Sequence, residues 1–275
     1  MRFARYLPLI LIAASLAARA DDAAQVQRDL IDAQVARIAI EPQDTPDASG
    51  RVFFLGFAGY GEERVFAEEI KLAAQRVGEK YGSLARTVLL LNDRRDLSTW
   101  PLASASSLRY SLKAIAQVMN PDEDILFLAL SSHGSPDATI DVSNTGMTSQ
   151  GLSADTLASL LAESGIRWKV VVVSACFSGA FVKPLADNHT IVITAAAKNR
   201  TSFGCSDQRD LTYFGEAFYR DSLPHSTYLR TAFEAARIEV RRREKEIDVR
   251  PSQPQAYFGP LMEEKLRGIE QGHGR

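Results

Sequence analysis

Short apolar runs alternate along the chain with longer stretches whose apolar positions recur every three or four residues. The runs are 51–57 (RVFFLGF), 87–91 (TVLLL), 125–130 (ILFLAL), 170–173 (VVVV) and 190–194 (TIVIT), with 255–258 (QAYF) before a Gly-Pro pair. Uninterrupted apolar runs of this length read as strands buried on both faces, and 255–258 suits an edge strand. Helix spacing occupies 63–81, 104–120, 153–165, 212–221 and 226–246. In 104–120, Leu108, Leu112, Ile115 and Met119 share a face and Pro121 stops the helix; in 153–165, Ser153 is the N-cap and Gly165 the terminator. Strand–helix alternation predicts an α/β fold, an open, mostly parallel sheet of about six strands with helices on both faces. One domain is expected over 51–260, with a loose tail over 261–275. Residues 135–152 read as a long polar loop, with strand signal only at 138–142.

The pattern upstream is of a different kind. Val26, Leu30, Ile31, Val35 and Ile38 are spaced for a leader helix that packs on the domain, and the proline-containing stretch 42–50 reads as a linker. Residues 1–20 have the layout of a signal peptide: Arg2 and Arg5, an apolar stretch over 7–16, then Ala18-Arg19-Ala20. The expectation is export, to a bacterial periplasm, with an uncleaved anchor as the competing reading. The apolar stretch is short for a membrane span, and no stable insertion is expected after cleavage. A chain of 275 residues with 45% hydrophobic content can bury one sizeable core. Its formal net charge of −2 offers no electrostatic case for nucleic acid. The mixed-sign run 241–246 reads as a solvated helix face.

Candidate chemistry sits where two of the strands end. The run 125–130 leads into Ser131, Ser132, His133 and Gly134, and the run 170–173 into Ser174, Ala175, Cys176, Phe177, Ser178 and Gly179. In open α/β sheets, reactive groups gather at the carboxyl ends of strands. A lone cysteine is most often a small core residue. A second strand that delivers a histidine to the same rim changes that reading, because imidazole can take a thiol's proton or stabilise the thiolate. His189, His225 and His273 carry no such pattern. No Cys or His pair has zinc-ligand spacing, and no cofactor is expected.

The segments SSHGS and SACFSG, followed by ITAAAKNRTSFGC (193–205) and TYFGEAFY (212–219), resemble the peptidase C13 (legumain-like) family of the caspase-like clan of cysteine peptidases. The resemblance implies a caspase-like sheet, a peptide or protein substrate and a cysteine-type endopeptidase in which Cys176 attacks and His133 transfers protons. It implies an oxyanion site at the N–H groups of Gly134 and Cys176, where a missing Cβ at Gly134 would let the substrate oxygen approach. It also implies an S1 pocket from Arg64, Ser174, Ser202 and Glu216; read from sequence alone, Arg64 is equally a solvated helix-face residue. Ser174 stands where the legumain branch has an acid and Ser132 where it has an aspartate, so the pocket is altered from the asparagine-preferring one, and ligase activity has no support. No third, orienting carboxylate is visible. A non-catalytic scaffold and a thiol hydrolase of non-peptide amides or esters remain as other readings. Cys205 and Cys176 are expected as free thiols, with a reversible disulfide between them as the lesser alternative.

Overall fold

A computed structural model describes residues 7–39, 50–147, 150–206 and 208–272. The linker over 42–49, the first six residues and the last three lie outside the described residues. The chain opens with α1 (Leu7–Ala39), then β1 (Val52–Ala58), α2 (Arg64–Tyr81), β2 (Thr87–Leu91), α3 (Ala105–Val118) and β3 (Ile125–Ser131). Three short strands follow, β4 (Gly134–Ser135), β5 (Thr139–Val142) and β6 (Gln150–Ser153), then α4 (Ala154–Ser164) and β7 (Trp168–Ser174). The remainder is α5 (Val182–Leu185), β8 (Thr190–Thr194), α6 (Tyr213–Gly215), α7 (Leu229–Glu246), β9 (Gln255–Phe258) and α8 (Pro260–Gly272).

The main sheet has the order β2-β1-β3-β7-β8-β9. Its first five strands are parallel and β9 runs antiparallel to β8. Side chains alternate across it with period two. Phe54, Phe127, Ala129, Val170 and Val172 face a core closed by α2, α7 and α8. Phe53, Leu55, Leu126, Leu128, Val171 and Val173 face a second core closed by α1, α3 and α4. Apolar side chains therefore follow one another along the middle of each of these strands, which is why the runs look continuous in sequence. The caps expected for α4 are present: Ser153 Oγ accepts from the Thr156 N–H, and Gly165 takes φ 71°.

Two expectations fail. Residues 135–152 are not a plain loop, because β4, β5 and β6 form a three-stranded antiparallel sheet. Ile140, Val142 and Leu152 are buried between polar neighbours, an alternation too short to stand out among them. The described part of the expected tail, up to Gly272, is not loose either. Met262, Leu266 and Ile269 form the buried stripe of α8, and the buried Glu270 accepts from the Tyr81 hydroxyl at 2.8 Å and the Leu229 N–H at 2.8 Å. The helix expected over 212–221 is α6 running into a π-helical turn at Glu216–Ser222. Among the described residues no helix is long and apolar enough to cross a membrane.

Candidate active site

Strands β1, β3 and β7 end level with one another, since Ala58 pairs with Ser131 and Ser131 with Ser174. The ladder runs one residue further on each side: Gly59 N–H donates to Ser131 O at 3.0 Å and Ser132 N–H to Ser174 O at 3.2 Å. His133 and Cys176 are thus each the second residue past the same paired row, on strands about 4.8 Å apart. The crossing point is tight. A Cβ on Gly134 would lie 2.1 Å from the Cys176 carbonyl oxygen. Glycine is required there by the neighbouring peptide, a different reason from the approach of a substrate oxygen.

The small sheet holds the histidine in place. Asp141 N–H donates to His133 O at 3.0 Å, and the Ser132 hydroxyl donates to Asp141 O at 2.6 Å. The imidazole lies edge-on to Tyr60 (4.7 Å between centroids) and Phe66 (4.9 Å). Its Nε2 is 3.2 Å from Glu63 Oε2, a buried oxygen with no hydrogen-bond partner of its own. Glu63 sits at the N-cap of α2 yet makes no side-chain cap bond.

Past Cys176 the chain turns at once. Phe177 adopts φ 57°, a left-handed conformation that is costly for a bulky residue, and its N–H donates to Arg200 O at 2.7 Å. The loop after β8 wraps the thiol: Ser202 N–H lies 3.2 Å from Cys176 Sγ, and Ser202 O is 3.6 Å away. The Cys205 thiol acts on Cys176 from the same loop. With the Ser202 N–H it pulls the Cys176 pKa down to about 7, against the opposing effect of burial. Cys205 is pushed upward, first by its bond to Cys176, then by burial and the neighbouring thiolate charge. Both cysteines are free. The thiol so held stands on the strand next to the one that carries His133, whose Nε2 lies against Glu63.

The profile of the peptidase C13 family matches residues 107–263, from α3 to the start of α8. The chain belongs to the peptidase C13 family. Its members are cysteine peptidases, so a protein substrate is implied. Among curated proteins none matches the chain. The matched span includes His133, Gly134, Cys176, Ser202 and Glu216, and leaves α1, β1, α2 and β2, with Glu63 and Arg64, outside it.

In this C13 chain the four polar positions expected around S1 each have partners of their own. Ser202 is at the thiol, but through its backbone. Ser174 is buried under the rim, its hydroxyl 3.3 Å from that of Thr212. Glu216 is engaged by Arg209, Arg220 and Arg243, the last two from the π-turn and α7. Arg64 pairs with Asp210 at 2.7 Å, an acid on the loop past β8. Three groups near the site were not apparent from sequence: Glu63, Asp210 and Glu69. Glu69, on α2, is fully buried beneath Ser131 and Ser174 and accepts from the Thr212 hydroxyl at 2.6 Å and N–H at 3.2 Å. A helix-interior glutamate followed by apolar residues four apart carried a weak signal, since the sequence AEEI puts one of its two acids on the apolar face. Among the described residues no cluster of His, Cys, Asp and Glu is arranged to hold a metal ion.

Proposed function

We propose that the protein is a cysteine endopeptidase in which Cys176 is the nucleophile and His133 the proton carrier. The observation that supports this most is their shared position, two residues past one paired row, in a chain of the C13 family. The Cys176 thiolate attacks a peptide carbonyl. The developing oxyanion takes the backbone N–H groups of Gly134 and Cys176, the residues that cross at the rim. His133 protonates the departing amine, then deprotonates the water that hydrolyses the thioester. With Nε2 turned to Glu63, the imidazole serves the thiol and substrate through Nδ1, and Glu63 stabilises the imidazolium formed on proton transfer.

For S1 we favour a polar side chain, read by the Arg64–Asp210 pair, which offers donors and an acceptor together, with Ser202 beside the thiol. Glu216, covered by three arginines, contributes charge balance to that loop and no free acid. The proposed compartment is the periplasm, reached by export on residues 1–20; the basic start, apolar stretch and Ala18-Arg19-Ala20 support it.

The test is cleavage of a mixed peptide pool by purified reduced protein, with Cys176→Ala and His133→Ala in parallel. Both variants are expected at background. Cleavage that persists in either, or a wild-type chain that cleaves nothing and whose Cys176 alkylates no faster than Cys205 at neutral pH, would overturn the assignment.

A further inference from the structure

Cys205 is not placed by the reaction just described, which needs one thiol. It belongs to the same loop whose Ser202 backbone grips Cys176 Sγ at 3.2 and 3.6 Å. Two fixtures set its position. Tyr213 N–H donates to Phe203 O at 3.0 Å, and Gly204 adopts φ 87°, with a hypothetical Cβ only 2.8 Å from Tyr213. The loop is thereby turned so that the next residue, Cys205, packs partly against the core, three residues beyond the backbone that touches Cys176 Sγ, and its thiol acts on Cys176 from there. A serine or threonine hydroxyl would donate to a thiolate equally well, so the contact alone does not call for sulfur. Sulfur adds the capacity to form a covalent bond.

We propose that Cys205 is a resolving thiol, and that a disulfide-carrying oxidant closes the site by joining Cys176 to Cys205. The proposal rests on Cys176 being the nucleophile. The Cys176 thiolate attacks one sulfur of the oxidant disulfide, forming a mixed disulfide and releasing one thiol of the oxidant. The Cys205 thiol then loses its proton to solvent and attacks Cys176 Sγ. The Cys176–Cys205 bond forms, and the second half of the oxidant leaves as a thiol. Two protein thiols are oxidised and one oxidant disulfide is reduced. The order is favoured by charge. In the reduced site the neighbouring Cys176 thiolate, with burial and the Glu63 charge, holds the proton on Cys205. Once Cys176 is capped, its influence is gone, and burial and the Glu63 charge are what still oppose ionisation of the resolving thiol. A dithiol reductant reverses the sequence and restores the nucleophile.

The reduced full chain would be equilibrated with mixtures of reduced and oxidised glutathione, quenched by alkylation, and read by intact and peptide mass without any substrate. The expected product has lost two hydrogens, resists alkylation at both cysteines and yields one peptide pair linked through Cys176 and Cys205. Cys205→Ser is expected to stop at a glutathione adduct on Cys176. A wild-type chain that stops at that adduct with Cys205 still alkylatable, or whose two thiols stay free throughout, would overturn the proposal. Because the readout is mass, a chain that forms the bond yet cleaves no peptide would sink the peptidase assignment alone. A chain that cleaves peptides but ends as the adduct would sink this proposal alone.

Discussion

Glu63 holds the N-cap position of α2, with φ −119° and ψ 122°, without capping it. Its buried Oε2 faces His133 Nε2 at 3.2 Å instead. In the proposed reaction the role of a carboxylate there is to stabilise the imidazolium formed on proton transfer and to fix which nitrogen faces the thiol. Glu63→Gln removes the charge and keeps the shape, so the loss should fall on turnover. A charge-assisted contact of about 1.5–3 kcal/mol corresponds to a decrease in kcat of roughly 10- to 100-fold with KM little changed. A variant with KM raised and kcat intact would show that Glu63 binds substrate instead. His133 and Cys176 were legible in the sequence because each closes an apolar run at a small residue. Glu63 was not, because acids in a first helical turn are common for reasons of the helix dipole. Its direction depends on the turn Ala58–Gly61, which the small sheet fixes through Gly61 N–H to Ser143 O at 2.9 Å and Ser143 N–H to Gly59 O at 2.9 Å.

Between elements, the buried Glu69 joins α2 to the start of α6 and to the ends of β3 and β7. Burial raises its pKa, while donors from Ser174, Thr212 and Ser131 pull the other way. The folded pKa stands above the unfolded value of about 4.3, so the folded chain binds this proton more tightly. The stability Glu69 contributes is then fully present below the unfolded pKa and is lost as pH rises through the folded one. Glu69→Gln keeps an oxygen for the Thr212 donors and has no such dependence. Urea midpoints of the two proteins across pH should therefore show wild type losing ground to the variant as pH rises from about 4.3. A gap that moves toward wild type with rising pH would mean that the carboxylate is stabilised as an anion. The five parallel strands were readable because burial on both faces leaves no polar interruption. Of the small sheet only β5 left a signal, at 138–142; β4 and β6 did not, because strands of two to four residues give alternation too little length. The partners of the S1 positions were hidden for another reason: spacing in sequence carries no information on which arginines surround Glu216 or which acid meets Arg64.

For the whole molecule, the open question is whether the segment before Arg51 is a removable leader. The packing argues that its second half is part of the fold. Ile31 and Ile38 of α1 are buried in the core shared with α3 and β2. The Gln34 side-chain amide acts as one rung of an additional strand: it donates to Leu89 O at 3.1 Å and accepts from Leu89 N–H at 2.9 Å. Gln27 accepts from the Leu102 N–H at 2.6 Å, and Asp32 from the Tyr110 hydroxyl at 3.0 Å. β2 is the edge of the main sheet, and an uncovered edge is a template for pairing with other chains. Removal of α1 would expose this edge together with the apolar surface under Ile31. Ile31→Ala is expected to cost about 2–5 kcal/mol by leaving a cavity. Gln34→Ala is expected to cost about 1–3 kcal/mol by leaving the buried Leu89 groups unpaired. A chain beginning at residue 21 retains every one of these contacts and should unfold at the same urea concentration as the full chain. A chain beginning at residue 51 should unfold earlier and self-associate, as read by urea titration and light scattering. Activation by cutting at the linker is then disfavoured, because the cut would free an element that covers a sheet edge far from the Cys176 rim. If the chain from residue 51 were monomeric, equally stable and more active than the full chain, α1 would be a detachable propeptide and the packing argument would be wrong.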